Sequence, residues 1–142
     1  MKVITKNSDK TKKLGFEFAH KLNSADVILL YGDLGSGKTT FVQGLALGLG
    51  IKDRILSPTF VLQRIHVVED HEFKSLNHID LYRIEEPLEI ESLGLSEILD
   101  DNSAITIIEW ADRLKNFTLK KGYKIHFKYI SDTEREIEIE NI

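Results

Sequence analysis

The chain has 142 residues, 19 Lys+Arg against 23 Asp+Glu, a formal net charge of −4 and no Cys. That length suits one domain over 1–142, and the missing Cys excludes a disulfide framework and any cysteine nucleophile or ligand. No run approaches about 18 apolar residues, Met1 to Lys13 is too polar for a signal peptide, and the mild acidity argues against broad charge-driven nucleic-acid binding; a soluble cytoplasmic protein is expected.

In chain order, Ser8 or Asp9 can cap a helix that places Leu14, Phe18 and Leu22 on one face. Val27 to Tyr31 is a continuous apolar run, as expected of a strand buried on both faces. A Gly-rich turn follows, then a helix from Lys38 to about Leu49 with Phe41, Leu45 and Leu49 inward and Gly50 ending it. Gly44 and Gly48 weaken that helix or permit close packing. Ser57-Pro58 breaks the chain; Phe60 to Val68 and Leu76 to Tyr82 read as strands of an antiparallel hairpin around the polar stretch His66 to Lys74. Pro87 can open one or two short helices, with Leu88, Leu93, Leu95, Ile98 and Leu99 supplying apolar contacts. Ala104 to Ile108 is a second buried strand, and Tyr123 to Ile130 with Glu134 to Glu140 a closing hairpin. The expected class is α/β: a mixed sheet with a parallel core and antiparallel hairpins.

Charge is segregated. Lys2, Lys6, Lys10, Lys12 and Lys13 make the first segment basic, while Glu85, Glu86, Glu89, Glu91, Glu97, Asp100 and Asp101 form an acidic stretch with no basic residue among them. Solvated faces would look like this; so would edges that meet a charged partner.

Gly32-Asp33-Leu34-Gly35-Ser36-Gly37-Lys38-Thr39 fits G-x-x-x-x-G-K-[ST]. At ordinary glycine usage the pattern arises by chance on the order of once in a few hundred chains of this length. The glycines let the backbone curl so that its N–H groups face phosphate oxygens. A helix beginning at Lys38 puts a positive dipole end at that anion. Lys38 can reach the β- and γ-phosphates, and the Thr39 hydroxyl suits Mg²⁺, which takes hard oxygen ligands. The implied ligands are a nucleotide and Mg²⁺.

Hydrolysis also needs a carboxylate at the end of a neighbouring strand. Glu109 closes an apolar strand and Asp80 sits on a more polar one. Composition does not assign their roles; the apolar lead-in favours Glu109 as magnesium partner, with Asp80 left to orient or deprotonate water. Thr59 stands where a γ-phosphate-sensing switch segment would sit. Arg54, Arg64, Arg83 and Arg113 are candidate transition-state cations, Arg83 foremost because it follows Asp80. Trp110 adjoins Glu109 and could report or gate the nucleotide state. His66, His71 and His78 lack a recognised metal-ligand spacing.

The P-loop from Tyr31 to Thr40, Ser57-Pro58-Thr59-Phe60, His78-Ile79-Asp80-Leu81-Tyr82-Arg83 and Glu109-Trp110, in this order, resemble the TsaE (YjeE) family over nearly the whole chain. That family comprises bacterial P-loop ATPases of tRNA threonylcarbamoyladenosine synthesis. The resemblance implies a single P-loop NTPase-like domain with helices on both faces of the sheet. It implies ATP hydrolysis in support of TsaB and TsaD, which transfer the threonylcarbamoyl group, so that tRNA is met through the complex. It also implies phosphate contacts from Gly35, Ser36, Gly37, Lys38, Thr39 and Thr40, Mg²⁺ held by Thr39 and Glu109, and a catalytic Asp80. Thr59 would belong to a switch and Trp110 to the region beside the metal; residues near Ser8 to Thr11, and Arg135, would lie near the adenine. Rival readings are a P-loop kinase of a nucleoside or small metabolite, and a nucleotide-controlled binding module. The acidic, Arg-free stretch from Leu88 to Asp101 counts against a phosphate-clamping lid. No N-K-x-D marks a guanine site.

Overall fold

The structure is a computed structural model that describes residues 1–52, 63–92, 94–114, 119 and 121–142. Among them, seven strands form one sheet in the order β1-β7-β6-β2-β5-β4-β3. The strands are β1 (Lys2–Thr5), β2 (Val27–Tyr31), β3 (Gln63–Val67), β4 (Ser75–Asp80), β5 (Ala104–Glu109), β6 (Gly122–Tyr129) and β7 (Arg135–Asn141). The helices are α1 (Ser8–Ala19), α2 (Lys38–Gly48), α3 (Pro87–Ser92) and α4 (Leu95–Leu99), with a 3₁₀ turn over Ala111–Arg113. Strands β6, β2, β5 and β4 run parallel. Hairpins β3–β4 and β6–β7 and the pair β1–β7 are antiparallel. A parallel core with antiparallel additions is thus the observed architecture.

The sheet is covered on both faces, and residue parity shows how. Ile28 and Leu30 of β2, with Ile105 and Ile107 of β5, pack with Phe18, Phe41, Val42 and Leu45 of α1 and α2. Val27 and Leu29, with Ile108 of β5, join Ile90, Leu95 and Ala111 on the opposite face. Side chains alternate along a strand, so a run that is apolar at every position, such as Val27 to Tyr31, belongs between two layers. Helices α1 and α2 pack unusually closely. A Cβ on Gly44 would stand 1.8 Å from the Lys12 carbonyl oxygen. Of the two readings of that glycine, close packing is the one the structure bears out.

Several expectations need correction. Helix α1 is capped by Asn7, not by Ser8 or Asp9: Asn7 is extended at φ −158° and its side chain accepts the Lys10 N–H at 2.9 Å. Strand β1 had no counterpart in the sequence reading. It is four residues at the sheet edge, with Lys2 and Ile4 exposed, and it forms by pairing with β7. His66 and Val67 lie within β3, so the loop begins two residues later than expected, at Val68. Leu88 is 75% exposed, and Ile90 supplies the buried contact of α3 instead. Leu93 lies outside the described residues.

Candidate functional site

The P-loop joins β2 to α2 at the C-terminal edge of the parallel strands, where open α/β sheets bind their ligands. Gly37 occupies the N-cap of α2 at φ +103° and makes no side-chain capping bond. A residue with a Cβ avoids this conformation. Here it lets the loop turn directly into the helix. The first amides of an α-helix have no partner within the helix, so they are presented to whatever anion lies over the loop. The Ser36 hydroxyl is buried and has no hydrogen-bond partner among the described residues.

Strand register brings the carboxylates to the same edge. Glu109 pairs with Leu30 of β2 on one side and with Asp80 of β4 on the other. By strand parity, Asp80 shares a face with Leu76, and Glu109 with Ile107; both of those belong to the core beneath α1 and α2. The two acids therefore project toward the P-loop helix. Both are buried, at 3% and 2% exposure. Asp80 Oδ1 accepts the Tyr82 N–H at 2.9 Å. Glu109 Oε2 lies 2.6 Å from His78 Nε2.

Lys38 is also buried. Its ammonium donates to the carbonyl oxygens of Gly32 and Asp33 and sits 4.5 Å from the centre of the Trp110 ring. Burial pushes its pKa below the ordinary 10.5, and the carboxylates of Glu109, Asp80, Asp33 and Asp112 oppose that shift. Trp110 is held at φ +57° and packs against Tyr82 with ring centres 4.9 Å apart.

These groups line one cavity of about 230 Å³. It gathers Gly35 to Thr40 on one wall and Asp80, Glu109, Tyr82 and Trp110 on another. Arg135 completes the lining from β7; its Nε donates to the Gly35 carbonyl at 3.1 Å, and its guanidinium lies over the Tyr129 ring. Thr11 stands near Gly37. Of the sequence-chosen residues, Gly35, Ser36, Gly37, Lys38, Thr39, Thr40, Asp80, Glu109 and Trp110 thus meet in one place. Arg83 does not line the cavity and is exposed. Thr59 and Arg54 lie outside the described residues. Two neighbours went unnoticed in the sequence as parts of the site. Tyr82 follows Asp80 by two residues. His78 precedes it by two and so shares its face, a signal that period-two counting carries.

The residues fit a nucleotide phosphate and a hard cation. The loop offers uncapped amides, an unpartnered buried hydroxyl and a lysine. The Thr39 hydroxyl and two buried carboxylates supply oxygen donors of the kind Mg²⁺ takes.

Fold and site together define a P-loop NTPase-like protein. The family model for "Threonylcarbamoyl adenosine biosynthesis protein TsaE" matches residues 5–137. The tRNA threonylcarbamoyladenosine biosynthesis protein TsaE of Treponema pallidum is 32% identical over 139 residues, covering 98% of this chain and 99% of that protein. Its namesake in Bacillus subtilis is 36% identical over 137 residues, covering 96% and 83%. The crystal structure of Bacillus subtilis YdiB superposes with a TM-score of 0.76 at 31% identity, over 96% of this chain and 82% of that one. The chain belongs to the TsaE family.

Proposed function

We propose that this protein is a Mg²⁺-dependent ATPase that supports formation of N6-threonylcarbamoyladenosine in tRNA together with TsaB and TsaD. It hydrolyses ATP to sustain turnover of that complex and does not itself transfer the group. The observation that carries the ATPase reading is the meeting of Lys38, Thr39, Asp80 and Glu109 in one cavity at the C-terminal strand edge. Family membership supports the pathway.

In this reading the amides from Gly35 to Thr40 bind the phosphates, and Lys38 turns from the Gly32 and Asp33 carbonyls toward the γ-phosphate. Thr39 and Glu109 hold Mg²⁺, which when bound neutralises charge that builds on the transferring phosphoryl group. Asp80 orients the attacking water or takes its proton as the bond to ADP breaks. Thr59 is assigned to nucleotide sensing, with Trp110 gating Lys38 through the contact between them; Arg83, which does not line the cavity, would sense the nucleotide only from outside it. The chain acts as one domain in the cytoplasm and meets tRNA through its protein partners. The basic first segment and the acidic stretch from Glu85 are the docking surfaces of this account.

The test is phosphate release from ATP by the purified protein, with and without Mg²⁺ and with and without a TsaB–TsaD pair. Slow Mg²⁺-dependent hydrolysis, accelerated by the pair, is expected. Transfer of the γ-phosphate to a nucleoside or metabolite would favour a kinase instead. Nucleotide binding without any hydrolysis, even with the pair, would favour a binding module.

A further inference from the structure

We infer that His78 is a positioning residue for Glu109, fixing one carboxylate oxygen so that the other is presented to the cation site. The inference rests on the reading of Glu109 as a magnesium partner.

The geometry is specific. His78 and Glu109 come from adjacent parallel strands, β4 and β5, and both side chains are shut off from solvent, at 0% and 3% exposure. Nε2 and Oε2 are 2.6 Å apart. The role proposed for Glu109 requires an ionised carboxylate, which only accepts, so this assignment has His78 donate from Nε2. Buried charge is costly unless hydrogen bonds replace its water, and this bond is a charge-assisted one. His78 Nδ1 is buried with no partner among the described residues. The bond that the described residues give His78 is aimed at Glu109.

Holding Oε2 has two effects. It sets the carboxylate plane, which otherwise rotates broadly about its terminal torsion. It also leaves Oε1 as the oxygen free to serve a cation in the cavity that Glu109 lines. Carboxylates that ligate metals are themselves hydrogen-bonded, and loss of such a partner typically costs about 10–100-fold in metal affinity or activity. His78 does not line the cavity, so it acts through Glu109 and not on substrate.

The experiment compares His78→Gln with His78→Met. The two replacements are close in length, but Gln keeps an N–H near the position of Nε2 and Met has none. Mn²⁺ binding, read by electron paramagnetic resonance in the presence of ADP, is measured beside the Mg²⁺ concentration for half-maximal hydrolysis. ADP affinity in EDTA and the melting temperature serve as folding controls. His78→Met is expected to weaken the metal roughly 10–100-fold with ADP affinity in EDTA within about twofold of native. His78→Gln is expected to recover most of the loss. Equal metal affinity in both variants and the native protein overturns the inference, as does equal weakening in both. Should His78→Met fail to fold, His78→Gln decides alone: metal affinity more than about tenfold below native overturns the inference. Glu109→Gln separates the two layers of the argument. If it leaves the metal dependence native, the reading of Glu109 itself fails; if it abolishes that dependence while His78→Met does not alter it, His78 alone is wrongly assigned.

Discussion

Gly37→Ala probes the P-loop where backbone and ligand requirements meet. Gly37 stands at φ +103°, ψ 6°. A Cβ built there meets Arg135 Cγ at 3.5 Å and Thr11 Cγ2 at 3.6 Å, which are ordinary contacts. The substitution therefore introduces no collision, and its cost is backbone strain alone. Left-handed conformations cost an L-residue roughly 1–2 kcal/mol. The loop has two ways to respond. If it keeps its shape, the native state carries the strain, and for a chain of this size the melting temperature falls by about 3–7 °C. If instead φ relaxes to a negative value, stability returns but the amides at the start of α2 turn from the anion, and nucleotide affinity drops about 5–30-fold, the same 1–2 kcal/mol read as binding. Paired assays settle the matter: thermal unfolding without nucleotide, and titration calorimetry with ADP. Alanine with native melting temperature and native affinity would refute the reasoning, because the strain would then have gone nowhere.

Other outcomes follow from the same structure. Gly44→Ala brings a Cβ to 1.8 Å from the Lys12 carbonyl, so the two helices must part; overpacking of about 1–3 kcal/mol outweighs the helix-propensity gain of roughly 1 kcal/mol, and chemical denaturation should show a net loss, a gain counting against the packing argument. In EDTA, the side-chain resonances of Lys38 should titrate below the ordinary 10.5. The unfolded chain then holds that proton more tightly, so stability owed to this group rises as pH climbs toward 10.5. Glu109→Gln should lower the Lys38 pKa further, since Glu109 leads the carboxylates that raise it; an upward move would contradict the electrostatics. Lys38→Ala should abolish the rise in melting temperature given by ATP, and Glu109→Ala should weaken hydrolysis in a way that extra Mg²⁺ partly restores. Unchanged Mg-ATP hydrolysis in both would sink the site assignment.

The sheet core was legible because burial on two faces leaves a plain trace: Val27 to Tyr31 and Ala104 to Ile108 are apolar at nearly every position. The P-loop was legible because its spacing is tied to phosphate geometry. Strand β1 left no such trace, since an edge strand with Lys2 and Ile4 in solvent carries half a pattern over four residues. The cap at Asn7 was misread as Ser8 or Asp9 because all three residue types cap well, and only the extended backbone at Asn7 decides between them. Proximity between strands is what sequence carries least. Nothing in a linear reading joins His78 to Glu109, 31 residues apart, or Arg135 to Gly35, 100 apart; strand register makes the first pair and the hairpin β6–β7 brings the second.

The most direct test of the central claim is a reconstituted tRNA modification reaction carried over many turnovers. TsaB, TsaD, tRNA, ATP and a threonylcarbamoyl donor are combined with the native protein, with Lys38→Ala, or with neither, and N6-threonylcarbamoyladenosine is counted per complex. The account predicts sustained turnover with the native protein alone, and a stall after the first products in the other two reactions. Equal turnover in all three would contradict it.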